Sequence, residues 1–137
     1  AGARGLMQIM PKTGRAFGLR NPTDPESSVA TAVKYIAYLD NYLAEKIPDE
    51  TERQKFILAA YNGGIGHVTD AMRLAEKHGL NPQVWDGNVA EAVLMLANPK
   101  YYNDPVVKYG YLRGRETYNY VDRIMDFYSV GKTAIPV

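Results

Sequence analysis

Apolar residues recur three or four positions apart through most of the 137-residue chain, the spacing that lines one face of a helix. The best-marked run is Val29, Val33, Ile36, Ala37, Leu43 and Ile47, with Asp40 as its one interruption. It predicts a long helix with those side chains turned inward, Asp24 as its cap, Pro25 in its first turn and Pro48 as its stop. Ahead of it, Pro11 opens a short helix through Phe17 that Gly18 closes, and residues 21–25 form a turn-rich linker. Behind it, Asp49 or Thr51 caps a third helix with Phe56, Ile57, Ala59 and Ala60 on its apolar face, ending at Gly63-Gly64. A fourth covers about 66–77, with His78-Gly79 as its C-terminal signal. Residues 81–87 read as loop, and 89–97 as a short apolar helix closed by Asn98-Pro99. The stretch 100–113 is tyrosine-rich and irregular. A last helix over about 115–128 carries Val121, Ile124, Met125 and Tyr128 on one side. No alternating run is long enough for a strand, and no repeat occurs. The expected fold is all-α, in one domain spanning 1–137.

Composition removes several function classes. Hydrophobic residues make up 46% and charged residues 23%, an ordinary globular balance. Sixteen basic and fifteen acidic residues leave a net charge of +1, and no dense Lys/Arg run supplies a local field, so nucleic acid is not an expected partner. Without cysteine there are no disulfides, thiol nucleophiles or cysteine-based zinc sites. With His67 and His78 as the only histidines and no HExxH spacing, no metal or cofactor is expected. No stretch approaches the roughly 20 apolar residues of a membrane span. The unusual count is tyrosine: 11, against 3 Phe and 1 Trp. Flat apolar rings with polar tips suit a groove for a hydroxylated, ring-shaped polymer such as a glycan; they also fill half-buried positions of helical domains.

Three short stretches carry candidate chemistry. In Gly5-Leu6-Met7-Gln8, the glycine permits close approach and Gln8 places an amide inside an apolar run, either to cap backbone or to meet a ligand. In Ala59-Ala60-Tyr61-Asn62-Gly63-Gly64, the pair Tyr61 and Asn62 either ends a helix or stacks on and hydrogen-bonds a sugar. In Gly114-Arg115-Glu116-Thr117-Tyr118-Asn119-Tyr120-Val121, Glu116 and Tyr120 lie one helical turn apart on one face. There they serve as a polar ligand-binding pair, or Glu116 is a surface residue of a first helical turn. No pair of carboxylates declares itself as a glycosidase acid and base, and no Ser-His-Asp spacing or nucleotide fingerprint occurs.

Taken in order, GARGLMQIMPKT (2–13), AAYNGGIGHV (59–68) and ETYNYV (116–121) resemble the lysozyme-like lytic transglycosylases of bacterial cell walls. The C-terminal run KYGYLRGRETYNYV is most similar to the membrane-bound F branch of that family. The resemblance implies a lysozyme-like transglycosylase domain in which Met7, Gln8, Tyr61, Asn62, Glu116 and Tyr120 contact the glycan, with Tyr120 near the catalytic carboxyl. It also implies that the family's single catalytic glutamate, followed by serine, precedes Ala1. The domain is therefore expected to be N-terminally incomplete here, without a catalytic acid of its own, and the 137 residues alone inactive.

The implied partners are peptidoglycan glycan strands, and the implied parent carries a further solute-binding-like domain and a membrane attachment, at the periplasmic face of the outer membrane. The implied reaction breaks the β-1,4 bond between N-acetylmuramic acid and N-acetylglucosamine without water, leaving 1,6-anhydro ends. Three other readings compete: a hydrolase of the same fold, a non-catalytic peptidoglycan-binding module, and a helical interaction domain. The last expects Tyr61, Asn62, Glu116 and Tyr120 not to converge.

Overall fold

The computed structural model describes residues 25–134, with side chains described from 28 to 129. The expected helix over 11–17, the Asp24 cap, Met7 and Gln8 lie outside these residues. The chain divides into two compact units, Ala1–Tyr42 and Leu43–Val137. Six α-helices and no strand are present among the described residues.

Helix α1 (Pro25–Ala44) begins with the proline expected at its first position. Its buried side differs from the expected one. Of the residues expected to face inward, Leu43 and Ile47 are buried, but Val29, Val33, Ile36 and Ala37 are exposed, Val33 by 62%; Ser28, Thr31, Ala32 and Leu39 are buried instead. The reason lies in Asp40. At helical spacing the stripe through Val29, Val33 and Ile36 continues onto that carboxylate, and burying it would require desolvating a charge. The stripe through Ser28, Ala32, Leu39 and Leu43 meets no charge. The helix also ends at Ala44, ahead of Pro48, and Ile47 is buried just after it.

Helix α2 (Glu50–Gly63) is capped by Asp49, whose side chain accepts from the Glu52 N–H at 3.1 Å. Phe56, Ala59 and Ala60 are buried along it, with Ile57 on its half-buried flank. Phe56 meets Trp85 edge-to-face, with ring centroids 5.5 Å apart. Trp85 sits in the kinked turn Trp85–Val89, where Gly87 has a φ of 73°. Glu52 accepts from the Trp85 N–H at 2.7 Å and, with Asp86, holds Lys55 at 3.0 Å, so this turn is tied to α2 by side chains as well as by packing.

Helix α3 (Ile65–Lys77) follows after a single residue, Gly64, with Val68, Ala71, Leu74 and Ala75 in the core. Helices α4 (Ala90–Met95) and α5 (Pro99–Tyr102) are short. The first is apolar and buried through Ala90, Ala92 and Val93; the second is capped by the Asn98 side chain, which accepts from the Lys100 N–H at 3.0 Å. Helix α6 (Gly114–Ala134) starts one residue earlier than expected and runs on past Tyr128. Its buried line is Gly114, Thr117 and Val121, while the expected Tyr128 is 52% exposed. Within the second unit, α2 packs chiefly on α3 and α6, and α4 packs on both α3 and α6.

The start of α6 is fixed by a close approach. A Cβ on Gly114 would fall 2.0 Å from the carbonyl oxygen of Val93 in α4, so only glycine lets the two backbones meet. Two residues before the helix, the Leu112 side chain is buried, while Arg113 remains outside; the Leu112 N–H donates to Leu96 O at 3.1 Å. These two anchors set the register of the Glu116–Val121 motif against α2.

Candidate functional site

The end of α2 and the first turns of α6 meet at one point. A Cβ on Gly63 would lie 2.8 Å from Thr117 Oγ1 and 3.4 Å from Leu112 Cδ1. Gly63 is therefore small because α6 passes over it, while Gly64 supplies the positive φ, 99°, that turns α2 into α3. Beside this crossing the Thr117 hydroxyl donates to Asn62 Oδ1 at 2.8 Å. Thr117 is buried and Asn62 is exposed. The bond holds the amide carbonyl toward the protein, which leaves the two amide N–H donors of Asn62 for a partner outside.

The two later motifs expected to cooperate are thus joined, through a residue the sequence reading did not single out. Thr117 was visible as a polar residue at helical spacing between Gly114 and Val121 on the buried line. Tyr61 is half-buried one position before Asn62. On α6, Glu116 is exposed and Tyr120 half-buried, on the flank beside the Thr117–Val121 line. Burial pushes the Tyr120 phenol above its ordinary pKa, against the opposing pull of Arg123, whose guanidinium lies 6.0 Å from the ring centroid. The phenol is then a proton-bearing donor at neutral pH. Arg115, meanwhile, covers the neighbouring Tyr118 ring at 5.3 Å.

A second side chain that escaped the sequence reading organises the other edge of this region. Asp70 of α3 is fully buried, and its carboxylate accepts from the backbone N–H of Lys108 at 2.9 Å and of Tyr109 at 2.8 Å. It also pairs with Arg73, whose Nε donates to Val106 O at 2.9 Å. Nearby, Asp104 accepts from the Val106 N–H at 3.0 Å and pairs with Lys77 at 2.6 Å. Three charged residues of α3 thus hold the chain over residues 104–109. The available signal was a carboxylate set among Val68, Ala71 and Leu74 of an apolar face; a buried charge there needs partners, but nothing local says which.

The loop delivers Tyr109 back to the α2–α3 turn. A Cβ on Gly66 would stand 2.9 Å from two atoms of the Tyr109 ring. His67 meets the same ring edge-on at 6.4 Å. His67 is half-buried, and its Nδ1 is enclosed without a hydrogen-bond partner. Burial lowers its pKa, against the raising effect of Asp70, so the imidazole is neutral at pH 7. No group of three His, Cys, Asp or Glu side chains is placed to hold a metal among the described residues.

Residues 1–83 of the chain match the sequence model of the transglycosylase SLT domain. The chain belongs to the SLT transglycosylase domain family. Of the curated relatives, it is 41% identical over 129 residues to membrane-bound lytic murein transglycosylase F of Pseudomonas fluorescens, covering 94% of this chain and 26% of that protein. It is 42% identical over 127 residues to the protein of the same name from Shewanella loihica, covering 93% of this chain and 26% of the relative. The Vibrio vulnificus protein is 39% identical over 93% of the chain and 23% of its own length. The chain therefore spans about a quarter of the relatives it matches. The SLT match covers the first two motifs, and the relatives carry the similarity across most of the rest. No helix among the described residues is long and apolar enough to cross a membrane.

Proposed function

We propose that the protein containing this SLT domain is a peptidoglycan lytic transglycosylase, cleaving the N-acetylmuramic acid–β-1,4–N-acetylglucosamine bond without consuming water. Membership of the SLT family is one support. The observation that carries the reading is the 2.8 Å bond from Thr117 to Asn62, which ties the two later motifs into one surface at the Gly63 crossing. Asn62 presents its amide donors there, suited to the hydroxyls and N-acetyl groups of a glycan. Tyr61 and Tyr120 offer ring faces and phenolic hydroxyls; Met7, Gln8 and Glu116 complete the proposed glycan contacts.

The catalytic acid, by the resemblance of the first motif, is a glutamate ahead of Ala1 in the full-length protein. Kept neutral by apolar surroundings, it gives its proton to the bridging oxygen as the bond to C1 breaks. As carboxylate it then takes the proton of the C6 hydroxyl, whose oxygen closes onto C1 as a 1,6-anhydro ring. The nucleophile belongs to the substrate, so a single carboxyl serves both steps. By the same resemblance Tyr120 is the supporting residue near that carboxyl, its protonated phenol a hydrogen-bond donor to it. The protein's place is the cell envelope, at the periplasmic face of the outer membrane, with a solute-binding-like domain beside this one.

The test is digestion of purified peptidoglycan by the full-length protein, with product masses read by spectrometry. Anhydro-muropeptides are expected. Reducing ends in their place would mean a hydrolase, and binding with no products would mean a glycan-binding module.

A further inference from the structure

Tyr109 combines two properties that seldom occur together. The residue is 64% exposed, yet its backbone is held by a fully buried carboxylate. Exposed loop tyrosines ordinarily sample several rotamers, and binding must then offset the entropy of ordering them. Here the backbone on the N-terminal side of the ring is bonded residue by residue. The Val106 and Val107 N–H groups go to Asp104, and those of Lys108 and Tyr109 go to Asp70. The ring itself rests on Gly66, where any Cβ would collide with it, and His67 stands edge-on beside it. Just after it, Gly110 takes a φ of 73° and turns the chain toward Tyr111. A buried carboxylate with two backbone partners and an arginine is a demanding arrangement for a surface loop, and what it holds in place is one exposed aromatic ring. That ring lies against the first turn of α3, and three peptide units, at most about 11 Å, separate Gly66 from Gly63, the residue after Asn62.

We propose that Tyr109 is a glycan-stacking residue of this domain, its ring set on Gly66 as a pre-ordered platform for a sugar of the strand whose polar groups Asn62 engages. This rests on the glycan-cleaving reading above and adds a specificity residue outside the three motifs. Apolar sugar faces pack on an aromatic face, so the contact needs the ring and not its hydroxyl. Asp70 is a positioning residue, acting through the loop.

The experiment measures binding of the full-length protein to oligomers of β-1,4-linked N-acetylglucosamine by calorimetry. These lack the muramic unit at which the proposed cleavage occurs, so binding is read without turnover. Digestion of peptidoglycan is run in parallel. Tyr109→Ala is expected to bind about tenfold more weakly, with an unchanged melting temperature. Tyr109→Phe should bind as the parent does. Gly66→Ala, which displaces the ring, should weaken binding alone but add nothing in the Tyr109→Ala background. Equal binding by the parent and Tyr109→Ala overturns the proposal, and so does a Tyr109→Phe variant as weak as Tyr109→Ala. If the parent neither binds the oligomers nor cleaves peptidoglycan, the functional reading itself falls, and this inference with it.

Discussion

The turn joining α2 to α3 and the loop over residues 104–111 bound the same region of the domain, but they are held by different physics. The turn is made by its own residues. Gly64 adopts a φ of 99°, Gly63 leaves room for Thr117, and Asn62 sits at the helix end. The loop has no such local logic. Its conformation depends on Asp70, 38 and 39 residues earlier in sequence, whose carboxylate takes two of its backbone N–H groups. The turn could be read in advance because glycine pairs and helix-ending asparagines carry their geometry with them. The loop could not, because a carboxylate on an apolar helix face names no partner until the fold brings one.

That contrast can be broken most sharply at Asp70. Replacing it by alanine removes a buried charge, strands two backbone donors and leaves Arg73 without its carboxylate. Asp70→Ala should destabilise the domain by about 3–5 kcal/mol, read by calorimetric melting. Asp70→Asn, which keeps an acceptor, should lose less. If the two variants melt like the parent, the loop is not anchored as described.

The turn's side is next. Gly114→Ala drives a Cβ to within 2.0 Å of the Val93 carbonyl oxygen and must push α6 off α4. A loss of about 2–3 kcal/mol is expected, together with weaker glycan binding because Thr117 moves with the helix. Thr117→Val keeps the shape and removes only the donor to Asn62. It should lose about 1 kcal/mol of stability, and Thr117→Ser should restore it. Restoration of binding in the same serine variant would show that the hydroxyl, not the methyl, orients the Asn62 amide.

The smallest expected effect comes from pH. Burial holds the folded-state pKa of His67 below its unfolded value of about 6.5. Below that pH the unfolded chain takes up a proton that the native imidazole resists, so the stability from neutral His67 is present above the unfolded pKa and declines as pH falls through it. Melting temperatures measured between pH 7.5 and 5.5 should fall less in His67→Phe than in the parent. A parallel decline in both would place the pH dependence elsewhere.

Much of the architecture was open to sequence reading. The Asp49 cap, the Gly63-Gly64 stop, the His78-Gly79 signal and the all-α class came from local rules about caps, glycines and periodicity. The buried side of α1 did not, although its evidence was present: Asp40 falls on the stripe of Val29, Val33 and Ile36, and a charge on a stripe speaks against burying it. Within the candidate site, Tyr61 and Asn62 stand at the end of α2 as expected, and Glu116 and Tyr120 on one flank of α6. The residues that join these pieces, Thr117, Gly114, Asp70 and Tyr109, act across long sequence separations. Periodicity marks them as buried, small or aromatic without saying what they meet.

The account's central claim is that the Asn62 turn and the Tyr109 loop form one glycan-contacting face. Hydrogen exchange of the full-length protein, followed by mass spectrometry with and without a saturating N-acetylglucosamine oligomer, tests it most directly. The account predicts slower exchange in peptides covering residues 61–67 and 106–111 together, with residues 76–88 unchanged. Protection of the first segment without the second would detach Tyr109 from the site, and protection of neither would contradict the claim.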